Sequence, residues 1–271
     1  MQMSGYGGRD NEERDMGVEF GAVLKEWRQV RRVSQLDLGL SAGVSSRHIS
    51  FLETGRSRPS RGMVLRLCDE LDVPIAQRNR MLTAAGMSPA YAKRDLSEAD
   101  MAPMRTAMEW TLRKHEPYPA LAMDRHWCLV AMNAVAERLL AAFDVNVGDS
   151  LIDMMVHVKG VEQSLVNYEE VVRHMIARLR VESAYYGHDP VLEDGIARMD
   201  AKLGDTVLDV DGVKPAIIPA IYEFGGMQLS FFSTISQFGS TEDIALSELR
   251  IEMMFPVDQA TRQALEAMAG A

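Results

Sequence analysis

The chain has 271 residues, of which 47% are hydrophobic and 25% charged, so it has enough apolar material for two folded domains. No apolar run approaches the length of a membrane span, and the polar first residues lack the apolar core of a signal peptide, so we expect a cytoplasmic protein. The two cysteines, Cys68 and Cys128, lack the CxxC spacing of a zinc site, and we expect no metal and no other cofactor.

The net charge of −10 is unevenly distributed along the chain. From Val18 to Arg66 nine basic residues stand against four acidic ones, which gives +5. From Leu96 onward 14 basic residues stand against 27 acidic ones, which gives −13. A basic segment on an acidic body is typical of a protein that binds a polyanion through one domain. Solvated charged faces would produce the same split, so charge alone does not decide.

The first part of the chain predicts a flexible tail over residues 1–16 and an all-α domain over 17–86. Serines with helix-capping chemistry precede three of the helices, and Gly43 is placed to end the second one. The predicted helices are Val18 to Arg32, Gln35 to Ser41 after Ser34, a third through Glu53 after Ser45, a fourth through Leu71 after Ser60, and Ile75 to Ala85.

Residues 87–95 are interpreted as a linker, and residues 96–271 as a second domain. Its periodicity alternates between that of helices and that of strands. The predicted elements are a helix Leu96 to His115, strands Ala120 to Met123 and Cys128 to Met132, a helix Ala134 to Phe143, a helical middle Ser150 to Leu203, strands Ala216 to Phe224, Met227 to Ile235 and Ile244 to Phe255, and a helix Asp258 to Met268. This order predicts an α+β PAS-like domain, in which an antiparallel five-stranded sheet encloses a pocket against helices.

The second and third helices have the layout of a helix-turn-helix, in which one helix enters the major groove while another helix end contacts phosphate. Gln35 begins the second helix, where its side chain and the helix N–H groups are expected to bind a phosphate oxygen. Ser45 caps the third helix. Ser46 and Arg47 in its first turn are expected to contact base edges, and an arginine there suits guanine O6 and N7.

Further candidates for DNA contact follow in the third helix and the basic loop after it. Ser50 and Phe51 lie one turn further on, where Phe51 is expected to pack on a thymine methyl. Arg56 and Arg58 suit backbone phosphates. The whole segment resembles the helix-turn-helix of the phage-repressor (Cro/C1, XRE) family, in which the residue matching Gln35 contacts phosphate and the start of the third helix recognises bases. A protein-interaction bundle with the same apolar spacing is the alternative.

A second resemblance extends along the chain. The residues that carry it are Ser57-Arg58-Pro59-Ser60, Arg78-Asn79 with Leu82 and Ala84-Ala85-Gly86, His115-Glu116-Pro117-Tyr118-Pro119-Ala120, Asp124-Arg125-His126-Trp127 and Asn133. Together they resemble the MmyB-like transcription regulators. The resemblance implies a PAS-like ligand-binding domain behind the helix-turn-helix, and ligands of the fatty-acid type.

A ligand pocket in the second domain would need an apolar lining and a few polar groups. The candidates are Trp127, Met132, Leu139, Met155, Arg173, Met175, Leu179, Tyr185, Tyr222 and Phe231. Arg173 and Tyr185 are the expected partners of a ligand carboxylate. Each apolar candidate taken singly is also compatible with an ordinary core position.

The expected function is therefore a sequence-specific DNA-binding transcription regulator whose second domain senses a small apolar, fatty-acid-like ligand. We expect a homodimer on double-stranded DNA and no membrane partner. The alternative is a DNA-anchored adaptor whose acidic second domain binds a protein. An enzyme is not expected, because the six histidines lack metal-ligand spacing and no nucleophile elbow or phosphate loop is present. A haem or flavin site in the second domain stays open, but no motif selects an axial histidine.

Overall fold

The computed structural model of the protein describes residues 7–204, 217–239 and 242–269. Ala216, predicted to begin a strand, and the first six residues of the predicted tail lie outside them. The chain forms two compact units. One comprises the chain up to Lys93 with segments 184–188 and 242–244, and the other comprises the remainder. Along the chain, the first boundary between the two units follows Lys93 and falls within the predicted linker 87–95.

The first unit is built from the five predicted helices. They are α1 (Gly7–Val30), α2 (Gln35–Ser41), α3 (Ser46–Glu53), α4 (Arg61–Glu70) and α5 (Ile75–Ala84). The hydroxyls of Ser34, Ser45 and Ser60 accept hydrogen bonds from backbone N–H groups in the first turns of α2, α3 and α4, as their capping chemistry requires. α1 begins at Gly7, within the tail predicted over residues 1–16, and continues through the predicted boundary at residue 17.

Two glycines bring the first three helices close together. A Cβ atom on Gly21 of α1 would lie 2.4 Å from the backbone oxygen of Glu53, and one on Gly39 of α2 would lie 2.9 Å from that of Val44. Larger side chains would push α1 from the end of α3 and α2 from the turn that follows it. Gly43 has a φ of +67°, which lets the chain reverse between α2 and α3. The helix-turn-helix geometry is therefore set by backbone contact.

The second unit combines helices with a sheet. Its elements begin with a 3-10 turn (Ala99–Met101) and continue as α6 (Ala102–Lys114), β1 (Ala120–Met123), β2 (Leu129–Met132), α7 (Ala134–Ala141), α8 (Leu151–His157), α9 (Lys159–Ser164), α10 (Tyr168–Tyr185), α11 (Pro190–Leu203), β3 (Ala220–Phe224), β4 (Met227–Gln237), α12 (Ile244–Glu248), β5 (Arg250–Pro256) and α13 (Gln259–Ala269).

The five strands form one antiparallel sheet in the order β2-β1-β5-β4-β3. The predicted antiparallel PAS-like sheet is thereby confirmed. Gly225 and Gly226, with φ values of 58° and 81°, make the tight turn between β3 and β4. Because β5 is central, Glu252 lies opposite Leu121 of β1 on one side and Ile235 of β4 on the other.

Two predicted elements of the second unit depart most from the observed bounds. The strand predicted from Ile244 to Phe255 is divided, because Ile244–Glu248 forms α12 and only the residues from Arg250 onward pair with β1 and β4. Burial alternates from Ile244 to Glu248, but Glu248, Leu249 and Arg250 are all buried, which breaks the alternation of a half-buried strand. The helix predicted from Leu96 begins as α6 at Ala102, since Pro103 suits a first helical turn and disfavours helix before it.

Candidate nucleic-acid interface and ligand cavity

The eight predicted DNA contacts lie in α2, in α3 with its cap, and in the loop after α3. All of them are exposed or half-buried. The guanidinium carbon of Arg47 lies 5.1 Å from the centre of the Phe51 ring, and that of Arg56 lies 6.0 Å from the same ring. Two cations thus flank one aromatic ring, next to Ser46 and Ser50. This arrangement combines positive charge with an apolar surface on the predicted recognition helix.

Gln35 is held by a residue that the sequence analysis did not single out. Its Nε2 donates a hydrogen bond to Glu53 Oε2 at 2.7 Å. Arg28 of α1 donates to both oxygens of the same carboxylate, from Nε at 2.6 Å and from Nη2 at 3.1 Å. The Glu53 side chain is 4% exposed, and its hydrogen bond raises the pKa of Arg28. One N–H of the Gln35 amide is therefore engaged within the protein, which leaves the second for the predicted phosphate.

The second unit encloses a cavity of about 390 Å³ between its sheet and helices α7, α8 and α10. That volume lies within the range of about 300–1,000 Å³ of sites for small molecules. Six predicted ligand residues line it, namely Trp127, Leu139, Met155, Met175, Tyr222 and Phe231. Further apolar side chains complete much of the lining, including Leu121, Leu140, Phe143, Leu151, Met154, Phe224, Phe232 and Met254.

Four predicted ligand residues do not line the cavity: Met132, Arg173, Leu179 and Tyr185. On α10 the lining positions are Val171, His174, Met175 and Arg178, which follow the helical spacing of one face. Arg173 points away from that stripe, because two residues beyond Val171 correspond to a rotation of about 200°.

The other three predicted residues lie elsewhere in the chain and do not line the cavity. Leu179 is buried in the protein interior, Tyr185 is 45% exposed near the end of α10, and Met132 ends β2. The arginine at the cavity is therefore Arg178. It lies three residues after Met175, on the same face of α10, but the sequence did not show that this face borders the cavity.

Arg178 lies at the polar end of the cavity. Its guanidinium carbon is 4.3 Å from the centre of the Trp127 ring, and its Nε donates to Glu182 Oε1 at 2.9 Å. Nη1 is 3.9 Å from Glu252 Oε2, which is beyond hydrogen-bond distance. Nη2 is buried and has no hydrogen-bond partner among the residues that the structure describes.

Glu182 links Arg178 to the buried side chains of Trp127 and Arg250. Besides Arg178, it accepts a hydrogen bond from Trp127 Nε1 at 2.9 Å and one from Arg250, whose side chain is 4% exposed. The polar end thus holds two guanidinium groups and the carboxylates of Glu182 and Glu252. Tyr222 adds a hydroxyl, because burial, together with the charge of Glu252, raises the pKa of that group to about 12 and keeps it protonated at neutral pH.

Asp124, Arg125 and His126, which lie between β1 and β2, stabilise a turn and do not line the cavity. Asp124 Oδ1 accepts from the backbone N–H groups of His126 and Cys128. Asp189, at the start of α11, lies 3.3 Å from His126 Nε2 and 3.6 Å from Arg125 Nη2. Burial by itself would raise the pKa of Asp189, but the His126 hydrogen bond and the nearby positive charges outweigh it and lower that pKa. This cluster has a structural role.

Asn133 connects three elements in a similar way. Its Oδ1 accepts from the N–H groups of Ala120 and Ala136, and its Nδ2 donates to the carbonyl groups of Leu112 and Tyr118. It therefore caps α7 while fixing the start of β1. Within the described ranges, no group of three His, Cys, Asp or Glu residues is arranged to hold a metal ion, and no helix is both long and apolar enough to cross a membrane.

A helix-turn-helix followed by an α+β domain with a largely apolar cavity defines a DNA-binding regulator with an appended ligand-binding domain. The comparisons agree. The model of the MmyB-like transcription regulator ligand binding domain matches residues 104–268, and that of a helix-turn-helix domain matches residues 19–81. Since the first match alone covers more than half of the chain, the protein belongs to the MmyB-like transcription regulators.

Similarity to individual proteins is low. None of the curated proteins matches the chain. Among solved structures, the PAS domain from Bordetella pertussis BvgS aligns with 11% identity and a TM-score of 0.29, covering 64% of this chain and 96% of that one. A similarity at this level supports no conclusion about function, so the functional argument depends on the geometry of the two sites.

Proposed function

We propose that the protein is a transcription regulator that recognises a specific DNA sequence through α3 and responds to a small apolar, fatty-acid-like molecule held in the second unit. The observation that carries the proposal is the cavity of about 390 Å³, lined largely by apolar side chains, in the domain that follows the helix-turn-helix. A largely apolar cavity of this size suits a small apolar molecule, which would supply the lining with contacts.

On the DNA side, the proposed roles follow from exposure and charge. Arg47 and Ser46 contact base edges, with Phe51 on a thymine methyl and Ser50 beside it. Gln35 contacts a phosphate through its remaining amide N–H, while Ser45 fixes the first turn of α3. Arg56 and Arg58 contact neighbouring phosphates. The net charge of +5 between Val18 and Arg66 supports this assignment.

The proposed mode of action is that of a cytoplasmic homodimer on a near-palindromic operator, with half-sites about 34 Å apart. The homodimer has two arrangements of its helix-turn-helix units, which differ in their affinity for the operator. The ligand changes operator affinity only to the extent that it binds these two arrangements with different affinity. We propose binding rather than catalysis as the whole activity. Both matched family models describe regulatory domains, which supports this view.

Native mass spectrometry of freshly purified protein tests the ligand. We expect an adduct that is released on denaturation and that is absent from Leu139→Trp, which places an indole in the cavity. Leu36→Trp, at an exposed position of α2, is the matched control and should keep the adduct. If wild type shows no adduct and binds no added C8–C14 alkyl compound, the sensor proposal fails and a protein partner becomes the better explanation of the second domain.

A further inference from the structure

The cavity has a polar end whose hydrogen-bonding capacity is only partly used. Nε of Arg178 donates a hydrogen bond to Glu182, but Nη2 is buried without a hydrogen-bond partner in the described part of the chain. A buried guanidinium nitrogen is costly to leave unbonded. Nη2 itself is buried, but the Arg178 side chain as a whole is 22% exposed and lines the cavity, so its guanidinium group can donate to a ligand acceptor there. The ligand should therefore carry an oxygen or a comparable acceptor at this end.

The charges around Arg178 restrict what that acceptor can be. Among the described residues that line the cavity, the acidic and basic side chains besides His174 are those of Arg178 and Glu252. Behind them Arg250 is paired with Glu182. Two guanidinium groups thus already balance two carboxylates. A ligand carboxylate would add a third negative charge to this partly buried group, beside Glu252, whose side chain is 17% exposed.

The same arrangement also offers acceptors and donors to an uncharged group. Glu252 Oε2, 3.9 Å from Arg178 Nη1, is placed to accept a hydrogen bond from a ligand O–H or N–H. The hydroxyl of Tyr222, another lining residue, is a second donor in the cavity. His174 also lines the cavity, and it is exposed to solvent.

We propose that the cavity selects an aliphatic ligand with an uncharged head group that both donates and accepts hydrogen bonds, a primary amide or an alcohol, over the corresponding carboxylate. Arg178 donates to the head-group oxygen and Glu252 accepts its hydrogen, so Glu252 is the residue that rejects the acid. This inference depends on the proposed sensing of a ligand with a fatty-acid-like chain, and it replaces the acid head group of that ligand by an uncharged one.

Isothermal titration calorimetry of the full chain with decanamide, 1-decanol and decanoate tests the inference. The titrations are made at pH 8, where an ordinary imidazole is uncharged. We expect decanamide and decanol to bind at least tenfold more tightly than decanoate. Glu252→Gln retains an acceptor but removes the charge, so it should raise decanoate affinity at least tenfold and change decanol affinity less than threefold.

Glu223→Gln is the matched control, because Glu223 lies on β3 between the lining residues Tyr222 and Phe224 and is exposed. It should leave all three affinities unchanged. Decanoate binding as tightly as the neutral compounds to wild type would overturn the inference and leave the sensor proposal intact, even if the Glu252 variant did not fold. A preference for neutral compounds that Glu252→Gln does not alter would overturn the role of Glu252. Binding of none of the three compounds would contradict the sensor proposal itself.

Discussion

The Gln35 amide nitrogen donates to Glu53 Oε2 at 2.7 Å, so the first residue of α2 is fixed to the last residue of α3. Arg28 binds the same carboxylate from α1. One acidic residue in a basic segment therefore links three helices whose close backbone contacts the glycines allow. This ion pair supports the surface that is proposed to contact DNA, so its removal should destabilise the first unit.

Glu53→Ala should lower the free energy of unfolding by about 3 kcal/mol, because it leaves Arg28, whose side chain is 13% exposed, without its partner. Chemical denaturation followed by circular dichroism measures the change. Glu70→Ala, at an exposed position of α4, serves as the control and should stay within about 0.5 kcal/mol of wild type. Equal effects of the two substitutions would contradict the structural role of Glu53.

Arg47→Ala should cost about 1–3 kcal/mol on the selected operator and relax the preference at one base position, as expected for loss of a contact to a base edge. Selection of binding sites from a random library, followed by fluorescence anisotropy, measures both effects. A loss of the same size on random DNA would show that Arg47 contacts the backbone instead.

Arg58→Ala should weaken binding to all sequences by similar factors, and it should reduce the slope of log K against log salt by about one unit. Anisotropy titrations between low and moderate salt give that slope. Specificity that changed at one base pair, with an unaltered salt slope, would count against a phosphate contact.

Asp189→Asn should flatten the dependence of stability on pH in acid. The pKa of Asp189 is lowered on folding, so its ionised form contributes stability above its ordinary value of 3.8. This contribution is lost as the pH falls through the lower, folded value. Asparagine keeps a helix-capping oxygen but cannot titrate. Unfolding free energies from pH 6 down to pH 2.5 measure the slope, and Asp144→Asn on an exposed loop is the control. Identical slopes for wild type and Asp189→Asn would refute the assignment.

Local chemistry explains what the sequence could predict. Ser34, Ser45 and Ser60 cap their helices through contacts within three residues, so α2 to α4 are encoded where they form. The hairpin at Gly225 and Gly226 is local in the same sense.

Contacts between distant residues could not be predicted in this way. Arg28 and Glu53 are 25 residues apart, and nothing in their spacing indicates that they meet. The choice of Arg173 over Arg178 failed for a related reason, because the face of α10 that borders the cavity is decided by packing against strands far along the chain. Glu252 lies within the predicted strand, but the sequence did not show that this position of β5 borders the cavity.

We propose above all that occupancy of the cavity controls DNA binding. The most direct test of this proposal is the operator affinity of ligand-stripped protein, measured by anisotropy with and without saturating decanamide or decanoate, in wild type and in Leu139→Trp. We predict that the better-binding compound changes the wild-type Kd at least fivefold in either direction, while Leu139→Trp keeps one Kd under all conditions. A wild-type Kd that stays constant while calorimetry shows the cavity to be filled would contradict the claim.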